Sequence, residues 1–205
     1  MKRCGLLTRL RRDESGTAAE FVIVLPLAIL LLLGIIDAGR FLYQVNKGEK
    51  ATQIGARWAV VTDPLAPELK TESYVGVTVG AVTLTQGDRI PAGALGLVRC
   101  NDTGCQCSAT PCPSGLTRDS AAFDGLLARM QQIDGSITAE NLVVEYRGSG
   151  LGYAGDPNGM EIAPLTTVRL RDMTFPASFL FGAELNLPSF SYTLTMEDGD
   201  GTTSN

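Results

Sequence analysis

From Phe21 to Ile36 the chain reads FVIVLPLAILLLLGII, without a single charge. With residues 17–20 in front, the stretch is 20 residues long. As a helix that is about 30 Å, the hydrocarbon thickness of a bilayer. Pro26 removes one backbone hydrogen bond, which membrane-spanning helices tolerate. Past Ile36 the apolar positions thin out to Ala38, Phe41, Leu42 and Val45, then Ala51, Ile54, Trp58 and Val61. Steps of three and four mark one face of an amphipathic helix. Asp63-Pro64 sets the stop, since a residue before proline avoids the helical region. The pattern predicts one helix over 17–62, about 70 Å long. Its part over 17–36 crosses a membrane, and the remainder lays an apolar stripe against its own domain.

Beyond it the period changes. Tyr74–Thr85 alternates through Val75, Val77 and Val79 and predicts a strand. Arg118–Ile133 carries Phe123, Leu126, Leu127, Met130 and Ile133 on one helical stripe. Thr117 or Asp119 is placed to cap it, and Asp134-Gly135 to end it. Asn141–Arg147, Ile162–Thr174 and Phe190–Met196 read as three further strands. In the second, Val168, Leu170 and Asp172 alternate against Arg169 and Arg171. The Gly148–Gly159 loop is rich in Gly, Asp, Pro and Asn; it is too long for a tight hairpin and reads as mobile. The expected fold class is α+β: a long helix, then one domain over 63–197 with a second helix and a small antiparallel sheet. Residues 198–205 form an acidic tail.

Charge orients the anchor. Residues 1–12 hold Lys2, Arg3, Arg9, Arg11 and Arg12 and no acid. The remaining 12 basic and 22 acidic residues leave −10 on the body. Positive charge before an apolar run keeps the N-terminus cytoplasmic. The expectation is a single-pass protein of the inner, cytoplasmic membrane, with residues 1–16 as a basic cytoplasmic leader and the domain periplasmic or extracellular. An acidic body argues against nucleic acid as partner. A cleaved secretory signal is the competing reading, but the run is longer than the usual apolar region and lacks an Ala-x-Ala site. Glu20 sits at the start of the run. Such a carboxylate lies either at headgroup level near a helix N-terminus or opposite a cation of a neighbouring chain.

The cysteines follow the compartment. Cys4 lies in the leader. Cys100, Cys105, Cys107 and Cys112 form C-x4-C-x-C-x4-C in the exported part. Four cysteines there point to two disulfides, with three connectivities open. Cys105–Cys107 is the least favoured, because a bridge across one residue strains the geometry. Zinc is the alternative, but its sites usually use C-x2-C spacing.

Catalytic signals are few. The chain has no histidine, which removes the commonest general base and metal ligand. No phosphate-loop or dinucleotide fingerprint is present. The Glu197–Gly201 run is too near the end for a calcium-binding loop. The expectation is a non-enzymatic protein without cofactor or metal.

After the basic Arg11-Arg12, residues 15–59 carry a chain of features in a specific order: Ser15-Gly16, Glu20-Phe21, Leu25-Pro26, Asp37-Ala38-Gly39-Arg40 and Gly55-Ala56-Arg57. This stretch resembles the TadE-like family, pilin-like proteins of the bacterial tight-adherence (Tad) pilus systems. The resemblance covers about a fifth of the chain, and no motif beyond residue 62 is specific to the family. It implies cleavage by a prepilin peptidase, with Gly16 the last leader residue and Thr17 the new N-terminus. The family usually spaces glycine and glutamate by five; here the spacing is four. Counting five back from Glu20 ends the leader at Ser15 instead. The resemblance also implies that Glu20 meets the N-terminal amine of a neighbouring subunit.

Two functions follow. One is a minor pilin or pseudopilin in assembly of a tight-adherence (Flp-type) pilus, with the membrane, other pilin-like subunits, the assembly machinery and prepilin peptidase as partners. The other is an envelope-anchored binding module, with the helix as a tether and a loop as the recognition surface. Glu20 separates them, because a tether has no use for a carboxylate in its apolar run.

Overall fold

The computed structural model describes residues 14–157, 159–179, 182–196 and 199, with side chains from Glu20 onward. The basic stretch 1–13 with Cys4 and nearly all of the acidic tail lie outside the described residues.

Helix α1 runs over Glu14–Ala59, 46 residues with Pro26 inside it. It ends three residues before the expected bound of 62, and its first residue is the first one described. At the end, the Val61 N–H turns to the Trp58 carbonyl at 3.2 Å. The Thr62 hydroxyl also donates to that carbonyl, at 2.9 Å. Both bonds tighten the chain into a turn two residues ahead of Pro64. Then come α2 (Glu68–Thr71), β1 (Thr78–Val79), β2 (Val82–Thr83), β3 (Leu97–Cys100), β4 (Cys105–Ala109), α3 (Ser120–Gln131), β5 (Leu142–Arg147), β6 (Leu165–Leu170), β7 (Thr174–Ala177), β8 (Ala183–Asn186) and β9 (Phe190–Thr195). The architecture is α+β.

The described chain forms two compact units. The first holds α1 up to Tyr43 together with Phe175–Leu185. The second holds Gln44–Thr174 and the residues from Asn186 on.

In the second unit a five-stranded antiparallel sheet has the order β4-β3-β5-β6-β9. The register pairs Cys100 with Val144, Val144 with Val168, and Val168 with Tyr192. Strand alternation puts Val98, Cys100, Leu142, Val144, Tyr146, Val168, Leu170 and Phe190 on one buried face. The other face is polar, with Arg99, Glu145, Thr167, Arg169 and Thr193, as expected of an antiparallel sheet wetted on one side. The C-terminal part of α1 covers the buried face. Ala51, Thr52, Ala56 and Ala59 are buried there, and a Cβ at Gly48 would collide with the Phe190 ring. Glycine at 48 is therefore a close-approach position of helix on strand. Helix α3 packs beside it through Met130, which lies against Gly55. Asp119 is its cap, its carboxylate accepting from the N–H groups of Ala121 (2.8 Å) and Ala122 (3.1 Å).

Three readings are corrected. Tyr74–Thr85 is a small hairpin of β1 and β2, not one strand. Gly80, at φ +66°, turns the chain in a region open only to glycine at low cost. Val75 and Val82 are exposed, so the alternation of valines reflects no buried face. Ile162–Thr174 is likewise broken. Asp172, at φ 55°, ends the ladder, and the chain passes from β6 into β7 of a separate two-stranded sheet. Asp172 therefore does not share a strand face with Val168 and Leu170. The Gly148–Gly159 loop is pinned at its centre. The Ala154 N–H donates to Asp88 and its carbonyl accepts from Gly87, both at 2.8 Å, while Ala154 itself is buried.

Candidate functional site

The first candidate surface is the N-terminal part of α1. Ser15, Gly16 and Thr17 have helical backbone, and their side chains lie outside the described residues. Glu20 is exposed. So are most of the apolar residues that follow, including Phe21, Ile23, Leu27, Leu31 and Ile35. This helix is long and apolar enough to cross a membrane. Water is a poor solvent for such a surface, and lipid or other apolar helices are good ones.

At the end of the run the helix meets a hairpin drawn from far along the sequence. Strands β7 and β8 are joined through a turn in which the Gly182 N–H donates to the Ala177 carbonyl at 3.1 Å. Asp37 is 2% exposed beneath it. Its Oδ2 accepts from the backbone N–H of Phe179 at 2.8 Å. Its Oδ1 accepts from the Arg40 guanidinium at 3.1 Å. Arg40 also donates to the Ser178 hydroxyl at 2.9 Å and lies 5.4 Å from the Phe175 ring centroid. Phe41 meets Phe175 edge-on, with centroids 5.8 Å apart. One turn of helix thus offers an acceptor, a cation and a ring to a single hairpin. Asp37 and Arg40 were legible in the sequence only as members of a motif. The hairpin went unread because its strands are short and Pro176 interrupts the pattern.

The four cysteines are paired as Cys100–Cys105 and Cys107–Cys112. The first bridge joins directly opposed residues of β3 and β4. Asn101 shapes the turn between them, its Oδ1 accepting from Thr103 and Gly104 N–H groups, both at 3.1 Å. The second bridge ties β4 to the loop after it. The cysteines sit on an outer hairpin of the sheet, β3 and β4, to which the sequence reading assigned no strand. Asn-Asp-Thr-Gly between Cys100 and Cys105 is the turn signal that marks it.

Charge on the sheet's open face is organised around Glu145, which is 11% exposed and accepts from Arg99 at 2.7 Å and Arg169 at 3.4 Å. Burial pushes its carboxyl up, but the Arg99 hydrogen bonds and the two guanidinium charges outweigh that and hold it below the usual range. Tyr146 behind it is fully buried and its phenol is pushed up by that burial, even with its oxygen accepting the Leu65 N–H at 2.9 Å. Glu145 with Arg99 and Arg169 ties β3, β5 and β6 together across the face. Among the described residues no cluster of three or more His, Cys, Asp or Glu side chains is arranged to hold a metal ion.

The class is therefore an α+β protein with one N-terminal helix long and apolar enough to cross a membrane. Residues 16–57 match the family model described as TadE-like protein. The match covers nearly all of α1 and none of the sheet. Neither a curated protein nor a solved structure matches the chain.

Proposed function

We propose that this chain is a minor pilin or pseudopilin that takes part in assembling a tight-adherence pilus. Its role is structural and not enzymatic. The observation that carries the reading is the coincidence of the TadE-like match with a helix whose membrane-length half leaves its apolar side chains exposed. An exposed apolar helix of this length is held first by the inner membrane and then by the helices of other subunits. In this reading the N-terminus is cytoplasmic, the span is single and the disulfide-bonded domain is periplasmic. A prepilin peptidase removes the leader at the Ser15-Gly16-Thr17 junction. Glu20 then meets the terminal amine of a neighbouring subunit. The size of the domain fits a minor subunit better than a short major one.

Deleting the gene in the native host and imaging the cells tests the role. Loss or shortening of pili is the expected result; unchanged pilus number and length contradicts it. Intact mass of the native protein tests processing, where a chain still beginning at Met1 rules cleavage out.

A further inference from the structure

We propose that the β7–β8 hairpin is a second membrane-contacting element, with Phe179 and Leu185 lying in the interfacial layer of the leaflet through which α1 leaves the bilayer. This rests on the reading of α1 as a membrane span.

The argument is one of position. The uncharged run of α1 ends at Ile36. The hairpin is fixed to Asp37, Arg40 and Phe41, within about a turn and a half of that point. A segment docked there has the headgroup and upper acyl region beside it. Its chemistry suits that layer. Phe179 and Leu185 are each 42% exposed and present large apolar side chains to that layer. Leu185 closes an apolar groove with Gly34, Ala38, Phe41 and Leu42. That groove begins inside the span, at Gly34, and so is continuous with the surface that lipid already covers. Tyr43 and Arg40 supply the amphipathic aromatic and the long cation typical of such a level. The buried Asp37 does not oppose this, because its two oxygens are engaged by Phe179 and Arg40.

The contact does mechanical work. A lone helix rotates and tilts freely in a bilayer, whereas one with a lateral apolar foot has a preferred depth and azimuth.

The test uses the full chain in lipid vesicles at high lipid-to-protein ratio, with Trp58→Phe removing the native indole. Single tryptophans are placed by Phe179→Trp, by Leu185→Trp and, within the span, by Ile29→Trp. Vesicles are made with lipids brominated either just below the headgroup or deep in the chains. Ile29→Trp is expected to be quenched most by the deep label. Phe179→Trp and Leu185→Trp are expected to lose about half their emission with the shallow label and less with the deep one. If Ile29→Trp is quenched while both hairpin reporters are not, the hairpin does not touch lipid and the proposal is overturned. If Ile29→Trp is not quenched either, the span itself fails and the hairpin proposal fails with it. Hairpin emission that shifts only when a second copy of the chain is added, with no bromine quenching, also overturns it.

Discussion

The backbone N–H of Phe179 donates to Oδ2 of Asp37 at 2.8 Å, a contact between residues 142 apart in the chain. It joins a hairpin to a helix that shares no neighbouring sequence with it. Asp37→Ala removes both acceptor oxygens and leaves the Phe179 N–H without its carboxylate partner. Losing such a bond costs about 1–3 kcal/mol. The hairpin amides of the variant are expected to exchange with deuterium roughly ten- to a hundred-fold faster, with the sheet amides unchanged. Equal exchange in variant and parent would show that Asp37 does not hold the hairpin.

Gly48 and Gly125 make opposite predictions from the same substitution. At Gly48 a methyl group meets the Phe190 ring, while at Gly125 nothing lies within 4 Å. Gly48→Ala is expected to lower stability by about 1–3 kcal/mol, less the gain of up to about 1 kcal/mol from better helix propensity. Gly125→Ala is expected to raise it by roughly 0.5–1 kcal/mol. Thermal melts of the two variants in one buffer decide the matter. A Gly48→Ala melt at or above the parent's would mean that α1 does not pack closely on β9.

The contrast also shows what could be read beforehand. The long helix was legible because two signals agree: a charge-free run of membrane length and a continuing three-four period after it. Helix α3 was legible through the stripe Phe123, Leu126 and Met130, all buried. The central strands β5, β6 and β9 were legible as strand-like runs, with a clear two-residue period only in the run that holds β6. Strands β3 and β4 were not, because Leu97–Cys100 and Cys105–Ala109 are four and five residues long and polar on one side. The run Tyr74–Thr85 misled for the opposite reason: valines alternate there without a face to bury. The Asp37 site could not be read from spacing at all. Its partner is a backbone N–H supplied by the fold.

Acid should weaken the protein through Glu145. Its carboxyl is held below the ordinary range in the folded state, chiefly by Arg99 and Arg169 working against burial. A depressed folded value means stability present above the unfolded pKa of about 4.3 and lost as pH falls through the lower folded value. Asp88, lowered by the N–H and hydroxyl of Thr85, acts in the same direction. The melting temperature is therefore expected to fall below about pH 4, and Glu145→Gln to flatten part of that fall. Identical acid limbs in parent and variant would remove Glu145 from the account.

The central claim is that α1 is an assembly element and not only a tether, and Glu20 carries it most directly. It is an exposed carboxylate at the start of an apolar run, and it lies within the residues that match the TadE-like family. The decisive measurement is pilus number and length on native-host cells in which the deleted gene is replaced by Glu20→Leu, with membrane levels of the protein checked alongside. The account predicts normal membrane levels and pili reduced to the count of the deletion strain. Wild-type pili on cells carrying Glu20→Leu would contradict it.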